Sequence, residues 1–333
     1  MNLASLDWEV LDRLRATFLS DEKTKGPYWH TMTDLACYDI TFGERIGWKW
    51  DAVLRELALR HWTIPTPATV LDWGCGSGIA GRRVLAALVE QAPQRLLLHD
   101  HSTLAMDYAE HHARQSFPQV TIERASHRFL QEGAIDLLVL SHVVNELSET
   151  ARAELAELTS RAQCIIWVEP GTSEAGHALV HWREKLRATG FHPVAPCTHA
   201  APCGLLRPGN ERHWCHYFAA PRPNIYAISE WVKFGQRAGI DLRSLPYSFL
   251  VLDRRGGEHA PGVSRILGEP RLYKGYAKIF NCDADGVDEL MLQQRADKTL
   301  FKSLKRASGP LLYRWTRDGV RINHAEVFPT KTE

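Results

Sequence analysis

Short apolar runs alternate with longer amphipathic stretches through the middle of the chain. Runs such as RLLLHD and IDLLVLSHV are bounded by turn residues and are typical of strands buried on both faces of a sheet. The stretches between them repeat apolar residues at helical spacing. We therefore predict strands at residues 69–74, 95–100, 120–125, 135–143 and 164–170, and helices at 78–92, 102–117, 149–162 and 177–190.

This regular alternation predicts an α/β fold that is Rossmann-like, with a mostly parallel sheet covered by helices on both faces. Two further helices are predicted near the start, at residues 5–20 and 44–61, and an irregular aromatic segment separates them. In that segment Tyr28, Trp29 and His30 suit packing better than the mouth of a pocket.

The last third of the chain predicts a different, smaller β element. A strand at 247–255 suits the antiparallel edge of the main sheet. Residues 274–296 predict a hairpin that turns at 283–286, and the tail from 297 is expected to be partly helical.

These elements suggest three regions. They are an N-terminal helical or lid region at 1–62, a Rossmann-like domain at 63–255 and a basic C-terminal region at 256–333. A cysteine-rich insertion at 195–218 interrupts the second region, and the hairpin of the third region carries one more cysteine, Cys282.

Composition narrows the class of protein. A chain of 333 residues suggests about two domains, and no apolar run approaches the ~20 residues that a membrane helix needs. The N-terminus lacks the features of a secretory signal, and seven cysteines without such a signal favour buried thiols or a metal over disulfides. We expect a cytoplasmic monomer, or a mitochondrial protein in a eukaryote, although no clear transit peptide is present.

Charge is distributed unevenly. Residues 1–204 carry 19 Lys and Arg against 25 Asp and Glu, whereas residues 205–333 carry 21 against 14. A one-sided basic half is typical of proteins that contact nucleic acid. A solvated surface balanced by the acidic half is the alternative.

A glycine-rich turn follows the first predicted strand, in VLDWGCGSGIAGRRVL. Gly74, Gly76 and Gly78 permit positive φ angles and let backbone N–H groups approach a ligand closely, and Cys75 is small enough to lie among them. The turn lacks the Lys-Ser/Thr pair of a phosphate-binding loop, which disfavours nucleotide hydrolysis. A scaffold turn that binds nothing is the alternative interpretation.

Acidic and polar residues flank this turn. Asp72 lies inside the preceding strand, and Asp100 closes the next one, where a carboxylate can accept hydrogen bonds from ribose hydroxyls. Ser126 follows the third strand, close to where the adenine of a nucleoside ligand would lie in this kind of fold. Packing of the loop explains a serine at this position equally well.

The end of the fourth strand offers weak catalytic candidates. Many base-modifying methyltransferases carry Asn/Asp-Pro-Pro-Tyr/Phe at this position, but here the chain has SHVVNEL. The polar candidates are His142, Asn145 and Glu146, and Glu146 is explained as well by capping or pairing in the next helix.

Three cysteines, Cys197, Cys203 and Cys215, lie close together in APCTHAAPCGLLRPGNERHWCHYF. Their spacing is not the C-x-x-C of zinc ribbons or redox pairs, so three thiolates need a fourth ligand. The candidates are His199, His213, His216 and Cys282. Thiolates select zinc or an iron–sulfur cluster, and buried thiols without a metal are the alternative.

The turn and the two acids together resemble the class I S-adenosylmethionine-dependent methyltransferases. The resemblance rests on D-x-G-x-G-x-G followed by a strand that ends in Asp. It implies that Asp72 and the glycines hold the methionine end of the cofactor and that Asp100 binds its ribose.

A more specific resemblance runs from about Val70 to Trp315. The series WVEPGTSEAG, APCTHAAPCGL, HWCHYF, YSFLVLDR and PRLYKGYAKIFNC resembles the methyltransferase-like family of mitochondrial small-ribosomal-subunit proteins and their bacterial homologues. The resemblance implies a [4Fe–4S] cluster bound by four cysteines, which match Cys197, Cys203, Cys215 and Cys282 here. It also implies a role in assembling the small ribosomal subunit and binding its RNA.

Our leading hypothesis is that the chain is an S-adenosylmethionine-binding, iron–sulfur protein that binds small-subunit ribosomal RNA through its basic C-terminal half. It is either an rRNA methyltransferase or an assembly factor without that activity. The alternatives are a small-molecule methyltransferase with a structural zinc and an RNA-binding redox sensor.

Overall fold

The computed structural model describes residues 3–20, 28–65, 68–88, 93–257, 259–306 and 311–328. The chain divides into two compact units, each built from separate stretches of sequence. The first unit comprises Met1–Leu54, Thr63–Val168 and Ala220–Leu245. The second comprises Arg55–Trp62, Glu169–Ala219 and Pro246–Glu333.

The helices and strands largely follow the predicted order. The helices are α1 (Trp8–Leu19), α2 (Met32–Tyr38), α3 (Glu44–Leu59), α4 (Ile79–Ala87), α5 (Thr103–Ser116), α6 (His127–Glu132), α7 (Glu149–Arg161), α8 (Ser173–Ala188), α9 (Ser229–Ala238) and α10 (Lys298–Ser303). The strands are β1 (Ala68–Trp73), β2 (Pro93–His99), β3 (Thr121–Arg124), β4 (Ile135–Ser141), β5 (Ala162–Pro170), β6 (His192–Ala195), β7 (Tyr217–Ala219), β8 (Leu245–Asp253), β9 (Val263–Ile266), β10 (Arg271–Tyr273), β11 (Tyr276–Asp283), β12 (Gly286–Gln293), β13 (Leu312–Asp318) and β14 (Arg321–Val327).

A parallel sheet forms the centre of the first unit. Its described strands lie in the order β3-β2-β1-β4-β5, and every neighbouring pair is parallel. From β1 the chain moves outward to β2 and β3, and it later returns to the other side of β1 for β4 and β5. Right-handed crossovers therefore place α4 and α5 on one face and α7 on the other. The predicted Rossmann-like α/β fold, with a mostly parallel sheet, is confirmed.

The N-terminal region is more regular than predicted. The segment expected to be irregular contains α2, and a π-helical turn, Asp39–Gly43, leads from α2 into α3. Thr31 and Asp34 form a capping box at the start of α2. That prediction was wrong because the second residue of this box is Asp, rather than the usual Glu or Gln, and the helix has only seven residues.

In the second unit β8 pairs with β6 and with β7, and its pairing with β6 is antiparallel. The strand predicted at 247–255 is thus antiparallel to its neighbour, but β6 and not β8 stands at the end of the strand order. Trp62 follows α3, and its indole N–H donates to the Asp253 carboxylate at the end of β8 over 2.9 Å.

The C-terminal strands close into a barrel. Strand β9 pairs with both β13 and β11, and the path between them runs β11-β12-β14-β13. All described pairings in it are antiparallel except that between β12 and β14. Apolar residues fill its interior, and side chains of α10 pack against them.

The barrel partly confirms the sequence expectation. The hairpin turns where predicted, since Asp283 pairs with Gly286. The tail contains the short helix α10, but the expectation missed the hairpin of β13 and β14. These strands are half exposed and polar, so their sequence lacks the apolar alternation that marks most strands.

Candidate cofactor turn and cysteine cavity

The first unit has a topological switch point between β1 and β4. The connection from β1 leads to β2 on one side, whereas β4, on the other side of β1, connects away from it to β5. In open α/β sheets ligands bind at the carboxyl ends of the two strands where the direction changes in this way. The glycine turn follows β1 here, and His142 follows β4. The two segments touch, since a Cβ on Gly74 would lie 2.7 Å from Val143 Cγ1.

The three glycines of the turn all have positive φ angles, 72° at Gly74, 50° at Gly76 and 77° at Gly78. The N–H groups of Gly74 and Cys75 donate to the His99 carbonyl at the end of β2. A Cβ on Gly78 would lie 2.8 Å from Ala109 Cβ, whereas a Cβ on Gly76 would meet nothing within 4 Å. The backbone at Gly76 therefore borders open space, as a ligand cradle requires.

The side chain of Asp72 lies behind the turn. It is fully buried, and its Oδ2 accepts from the Gly81 N–H in α4 over 2.9 Å. Its Oδ1 is buried and has no hydrogen-bond partner among the described residues. Burial, assisted by the charge of Asp100, raises the pKa of Asp72 to about 7. Asp72 thus anchors the start of α4 and keeps one acceptor available.

Asp100 clamps the turn from the end of β2. Its Oδ2 accepts from the Gly76 N–H over 2.9 Å, and its Oδ1 accepts from the Ser102 N–H over 2.8 Å. A carboxylate oxygen has two lone pairs, so each oxygen retains an acceptor for a hydroxyl donor. Next to Gly76, the Ser77 hydroxyl is buried and has no partner among the described residues.

Two other predicted cofactor residues have clear structural roles. Ser126 is the N-cap of α6, where its hydroxyl accepts from the Phe129 N–H over 3.2 Å. Cys75 is buried within the turn, and burial raises the pKa of its thiol well above the ordinary value. The thiol is therefore protonated at neutral pH.

The residue after β4 is strained. His142 adopts a left-handed conformation with φ 57°, which is uncommon for a residue with a side chain. Its Nε2 is buried and has no hydrogen-bond partner among the described residues. Burial and the charge of Lys49 lower the pKa of His142 well below its ordinary value. The imidazole is therefore neutral at pH 7, and its surroundings disfavour the protonated form.

Asn145 and Glu146 follow in a short 3-10 turn, Val144–Glu146, and both are half-buried. Burial raises the pKa of Tyr28 well above its ordinary value, and the charges of Glu146 and Asp100 add to the shift. The Tyr28 hydroxyl therefore lies within electrostatic range of both carboxylates.

Tyr28 and Trp29 belong to an aromatic cluster. Their ring centroids are 4.6 Å apart, and Trp29 lies 4.9 Å from Tyr38. Residues of α5, among them Ala105 and Tyr108, pack against this cluster. The packing role expected for these aromatics is confirmed, and their nearness to the acids of the switch point was missed. Only the density of aromatics in PYWH and CYDITF could have indicated it.

The second unit brings the four predicted cysteines to one cavity. They come from separate segments: Cys197 after β6, Cys203 before a 3-10 turn, Cys215 before β7 and Cys282 on β11. Apolar side chains of α8 and β8 complete the wall of this cavity. The predicted fourth cysteine thus lies beside the other three.

Polar hydrogens point at the sulfur atoms. Arg183 of α8 donates from Nε to Cys197 Sγ over 3.1 Å, and its Nη2 donates to the carbonyls of His199 and Ala201. The Tyr217 hydroxyl lies 3.1 Å from Cys215 Sγ. Arg183 and Tyr217 were not predicted, because neither stands at a recognisable distance from a cysteine in the sequence.

The cavity disfavours bare thiolates. Burial raises the pKa of Cys203 to about 11 and that of Cys215 to about 12, and the neighbouring cysteines add to both shifts. Burial likewise raises the pKa of Cys282 well above its ordinary value. These thiols are protonated at neutral pH unless a cation compensates their charge.

A buried ion network holds the rim of the cavity. Arg265 on β9 donates from Nη2 to the Glu56 carboxylate over 2.9 Å, and its guanidinium stacks on the Tyr217 ring at 4.0 Å. Arg60 also binds Glu56, and it donates to the carbonyls of Val194 and Cys197 over 3.0 and 3.1 Å. The network fixes the backbone on either side of the first cysteine.

The histidines of the cysteine-rich segment differ in position. His199 Nε2 lies 4.0 Å from Cys282 Sγ, and burial lowers the pKa of this imidazole to about 4, with the charge of Arg183 adding to the shift. His213 stacks on Phe280, and His216 stacks on Trp214. Within the described ranges, no group of three or more His, Cys, Asp or Glu side chains is arranged to hold a metal ion.

Comparison with known proteins identifies one family model. The family described as mitochondrial small ribosomal subunit Rsm22 matches residues 43–310. No curated protein sequence matches the chain. None of the helices in the described part of the chain is long and apolar enough to cross a membrane.

Solved structures similar to the chain include two methyltransferases. One is the magnesium protoporphyrin IX methyltransferase of Synechocystis with bound S-adenosylmethionine, at 17% identity and a TM-score of 0.39, covering 76% of this chain and 100% of that one. The other is the ribosomal protein L11 methylase of Lactobacillus delbrueckii, at 20% identity and a TM-score of 0.31, covering 43% and 70%.

Proposed function

Since the chain belongs to the family of the mitochondrial small ribosomal subunit protein Rsm22, we propose that it binds S-adenosylmethionine and acts on, or binds, small-subunit ribosomal RNA during ribosome assembly or translation. The observation that carries the cofactor part is the open backbone at Gly76, bordered by Asp100 at a topological switch point. A monomer, in the cytoplasm or in a mitochondrion, stays our prediction for its state and compartment.

The residues of the turn suit the parts of this cofactor. We propose that Asp72, Gly74, Cys75, Gly76 and Gly78 surround its methionine end, where the buried Oδ1 of Asp72 and the Ser77 hydroxyl need donors or acceptors. Asp100 would accept from ribose hydroxyls, and Ser126 would lie at the adenine end. When bound, S-adenosylmethionine supplies an electrophilic methyl group.

Calorimetric titration of the full chain with S-adenosylmethionine tests this proposal. Gly76→Ala places a methyl group in the ligand space, so we expect affinity to fall at least about tenfold. Gly209→Ala is the matched control, because Gly209 also has a positive φ and open space but lies in the second unit. Absence of binding to the wild-type protein would remove the cofactor from the proposal.

We further propose that His142 takes part in a methyl-transfer reaction as a neutral hydrogen-bond acceptor. Its imidazole lies at the carboxyl end of β4, where it would orient the hydroxyl or amine that is methylated, and the proton that this group loses would pass to water. Asn145 and Glu146, in the next turn, would orient the accepting group.

Incubation with labelled S-adenosylmethionine and immature small subunits measures this activity. We expect His142→Ala to lower transfer by about tenfold or more while cofactor affinity changes little, because the accepting group loses a partner that orients it. Cofactor binding without any transfer by the wild-type protein would favour an assembly factor over an enzyme.

We propose a [4Fe–4S] cluster at Cys197, Cys203, Cys215 and Cys282. Cysteines from four separate segments line one cavity, and in the family that the cysteine series resembles four such cysteines bind this cluster. Arg183 and Tyr217 would hydrogen-bond to the ligand sulfurs. When bound, the cluster would cross-link β11 to the cysteine-rich segment.

Anaerobic purification followed by iron, sulfide and zinc analysis tests the cluster. We expect a brown protein that contains iron and sulfide, and a Cys282→Ser variant that loses most of both. Cys164→Ala is the control, because Cys164 is buried in β5, away from the cavity lining. Zinc in a colourless protein would replace the cluster with the alternative metal.

A further inference from the structure

The barrel of the second unit has the strand order of an oligonucleotide-binding fold. Strands β9 and β10 both pair with β11 in the antiparallel sense, so together they act as one interrupted first strand. Counting this as strand one, β11, β12, β13 and β14 are strands two to five. The described strands then close in the order one, two, three, five, four, one, and strands three and five (β12 and β14) are the parallel pair. The helix α10 stands between the third and fourth strands, as in that fold.

In this fold ligands bind on the outer face of the second and third strands, between the turn that joins strands one and two and the turn that joins strands four and five. The corresponding elements here are β11 and β12, the turn at Lys274–Gly275 and the turn at Gly319–Val320. The Met291 N–H in β12 donates to the Val320 carbonyl over 2.8 Å, which brings the second turn to this face.

The outer face of β11 is divided into two halves. Burial alternates along β11, so Tyr276, Lys278, Phe280 and Cys282 all point outward. The His213 ring covers Phe280 at 4.1 Å between centroids, and Cys282 lines the cysteine cavity. The half with Tyr276 and Lys278, called here the uncovered half, does not line the cysteine cavity, and the ring that stacks on it is that of Tyr273 at the neighbouring turn.

The uncovered half carries aromatic rings and cations. Tyr273 and Tyr276 stack at 4.8 Å with an angle of 9° between their planes, and Tyr273 is 43% exposed. Lys274 lies in the turn between them. Lys278 lies further along β11, and Lys278 Nζ contacts Glu289 Oε1 at 2.6 Å. Arg271 also pairs with Glu289.

We propose that this uncovered face binds single-stranded RNA, with bases stacked on Tyr273 and Tyr276 and phosphates neutralised by Lys274 and Lys278. Exposed aromatic platforms flanked by cations are how single-stranded nucleic acids are held without a base sequence being read. The inference rests on the proposed RNA partner, and it assigns that partner a surface and a strandedness. Glu289 weakens RNA binding, because its carboxylate pairs with Lys278 and Arg271, which phosphate groups would otherwise contact.

Fluorescence anisotropy with a labelled single-stranded RNA of about 12 nucleotides, matched to one barrel, tests the face in the full chain as purified. We expect Tyr273→Ala combined with Tyr276→Ala to weaken binding by about 10-fold to 100-fold. Tyr226→Ala, which removes a tyrosine 55% exposed in the first unit, should leave affinity unchanged. Duplex RNA of the same sequence should bind at least about tenfold more weakly.

Glu289→Gln gives a second measurement that misfolding cannot imitate. Releasing Lys278 and Arg271 should strengthen binding by about threefold at low salt and steepen its salt dependence. Weaker binding by Glu289→Gln, or unchanged binding by the tyrosine double variant, would overturn the proposal.

Sedimentation with immature small subunits separates this proposal from the proposed function. If the protein sediments with subunits but binds no single-stranded oligonucleotide, the face is wrong and the function stands. If it binds neither, the RNA partner itself is wrong. Subunit binding that the tyrosine double variant leaves unchanged would assign the contact to another surface and overturn the proposal.

Discussion

The glycine turn of the first unit and the cysteine cavity of the second are built in opposite ways. The turn is made of backbone groups and two acids that lie between residues 72 and 100, and its geometry depends on glycine conformations. The cavity is made of side chains that the chain supplies between residues 179 and 282, and an ion network reaching back to Glu56 holds it. A local motif thus shapes one site, and long-range packing shapes the other.

This difference predicts where each site is vulnerable. The turn tolerates changes in distant residues, provided that the ends of β1 and β4 stay in place. The cavity depends on every element that holds one of its segments, so substitutions far from a cysteine should disturb it. Substitutions at five positions test this contrast, in decreasing order of expected effect.

Glu56→Ala should destabilise the protein by about 3–5 kcal/mol, because it leaves the buried Arg265 guanidinium without its partner. Urea unfolding measures the change. Glu289→Ala removes an exposed carboxylate that also pairs with an arginine, and it should cost about 1 kcal/mol or less. Equal effects from the two variants would contradict the importance of the network.

Burial opposes ionisation of Glu56, but the charges of Arg265 and Arg60 outweigh it and hold the pKa of Glu56 below its ordinary value. The stability that this pair contributes is therefore present above about pH 4.5 and is lost as the pH falls through the lower folded-state pKa. Glu56→Gln should remove that part of the acid sensitivity.

Asp72 should show the opposite pH dependence in the turn. Its pKa is about 7 in the folded protein and near 4 when unfolded, so the folded state holds the extra proton and stability falls as the pH rises between these values. Relative to Asp72→Asn, the wild-type protein should lose about 3 kcal/mol between pH 5 and pH 8. Urea unfolding at both pH values measures the difference, and a constant difference would contradict the buried, protonated acid.

Gly78→Ala and Gly76→Ala should separate stability from binding. Gly78→Ala combines an unfavourable positive φ with a 2.8 Å contact to Ala109, so we expect a loss of about 2 kcal/mol. Gly76→Ala has only the backbone cost of about 1 kcal/mol, yet it should be the variant that loses S-adenosylmethionine. Thermal unfolding with and without the cofactor measures both effects. Equal losses of affinity would mean that the turn does not contact the ligand at Gly76.

Ser126→Ala should have the smallest effect. Loss of the N-cap hydroxyl of α6 costs about 1 kcal/mol of stability. Affinity for S-adenosylmethionine should fall by no more than about threefold, the value of one weak neutral hydrogen bond. A tenfold loss in calorimetry would make Ser126 a principal cofactor residue.

The sequence was sufficient to predict the parallel sheet, whereas the role of the four cysteines as metal ligands stays a prediction. The buried strands are continuous apolar runs, and Asp72, Asp100 and the three glycines lie within one β-turn-α-β pattern whose geometry is local. The grouping of Cys282 with Cys197 came from resemblance, since 84 intervening residues carry no spacing rule.

Three features were beyond the sequence. The left-handed conformation of His142 is imposed by its surroundings and leaves no compositional trace. The Glu56–Arg265 pair joins residues far apart in the chain. The closed barrel depends on β9 meeting both β11 and β13, and its last hairpin is too polar and exposed to show a buried face.

Strand β11 also limits how this region can change its length. Because side chains alternate along a strand, one inserted or deleted residue between Tyr276 and Cys282 would turn one of the two into the barrel interior. The proposed metal ligand Cys282 and the proposed base platform Tyr276 therefore both depend on the same alternation of side chains along β11. Single-residue insertions should be tolerated in the Lys274–Gly275 turn and excluded from the seven residues that follow it.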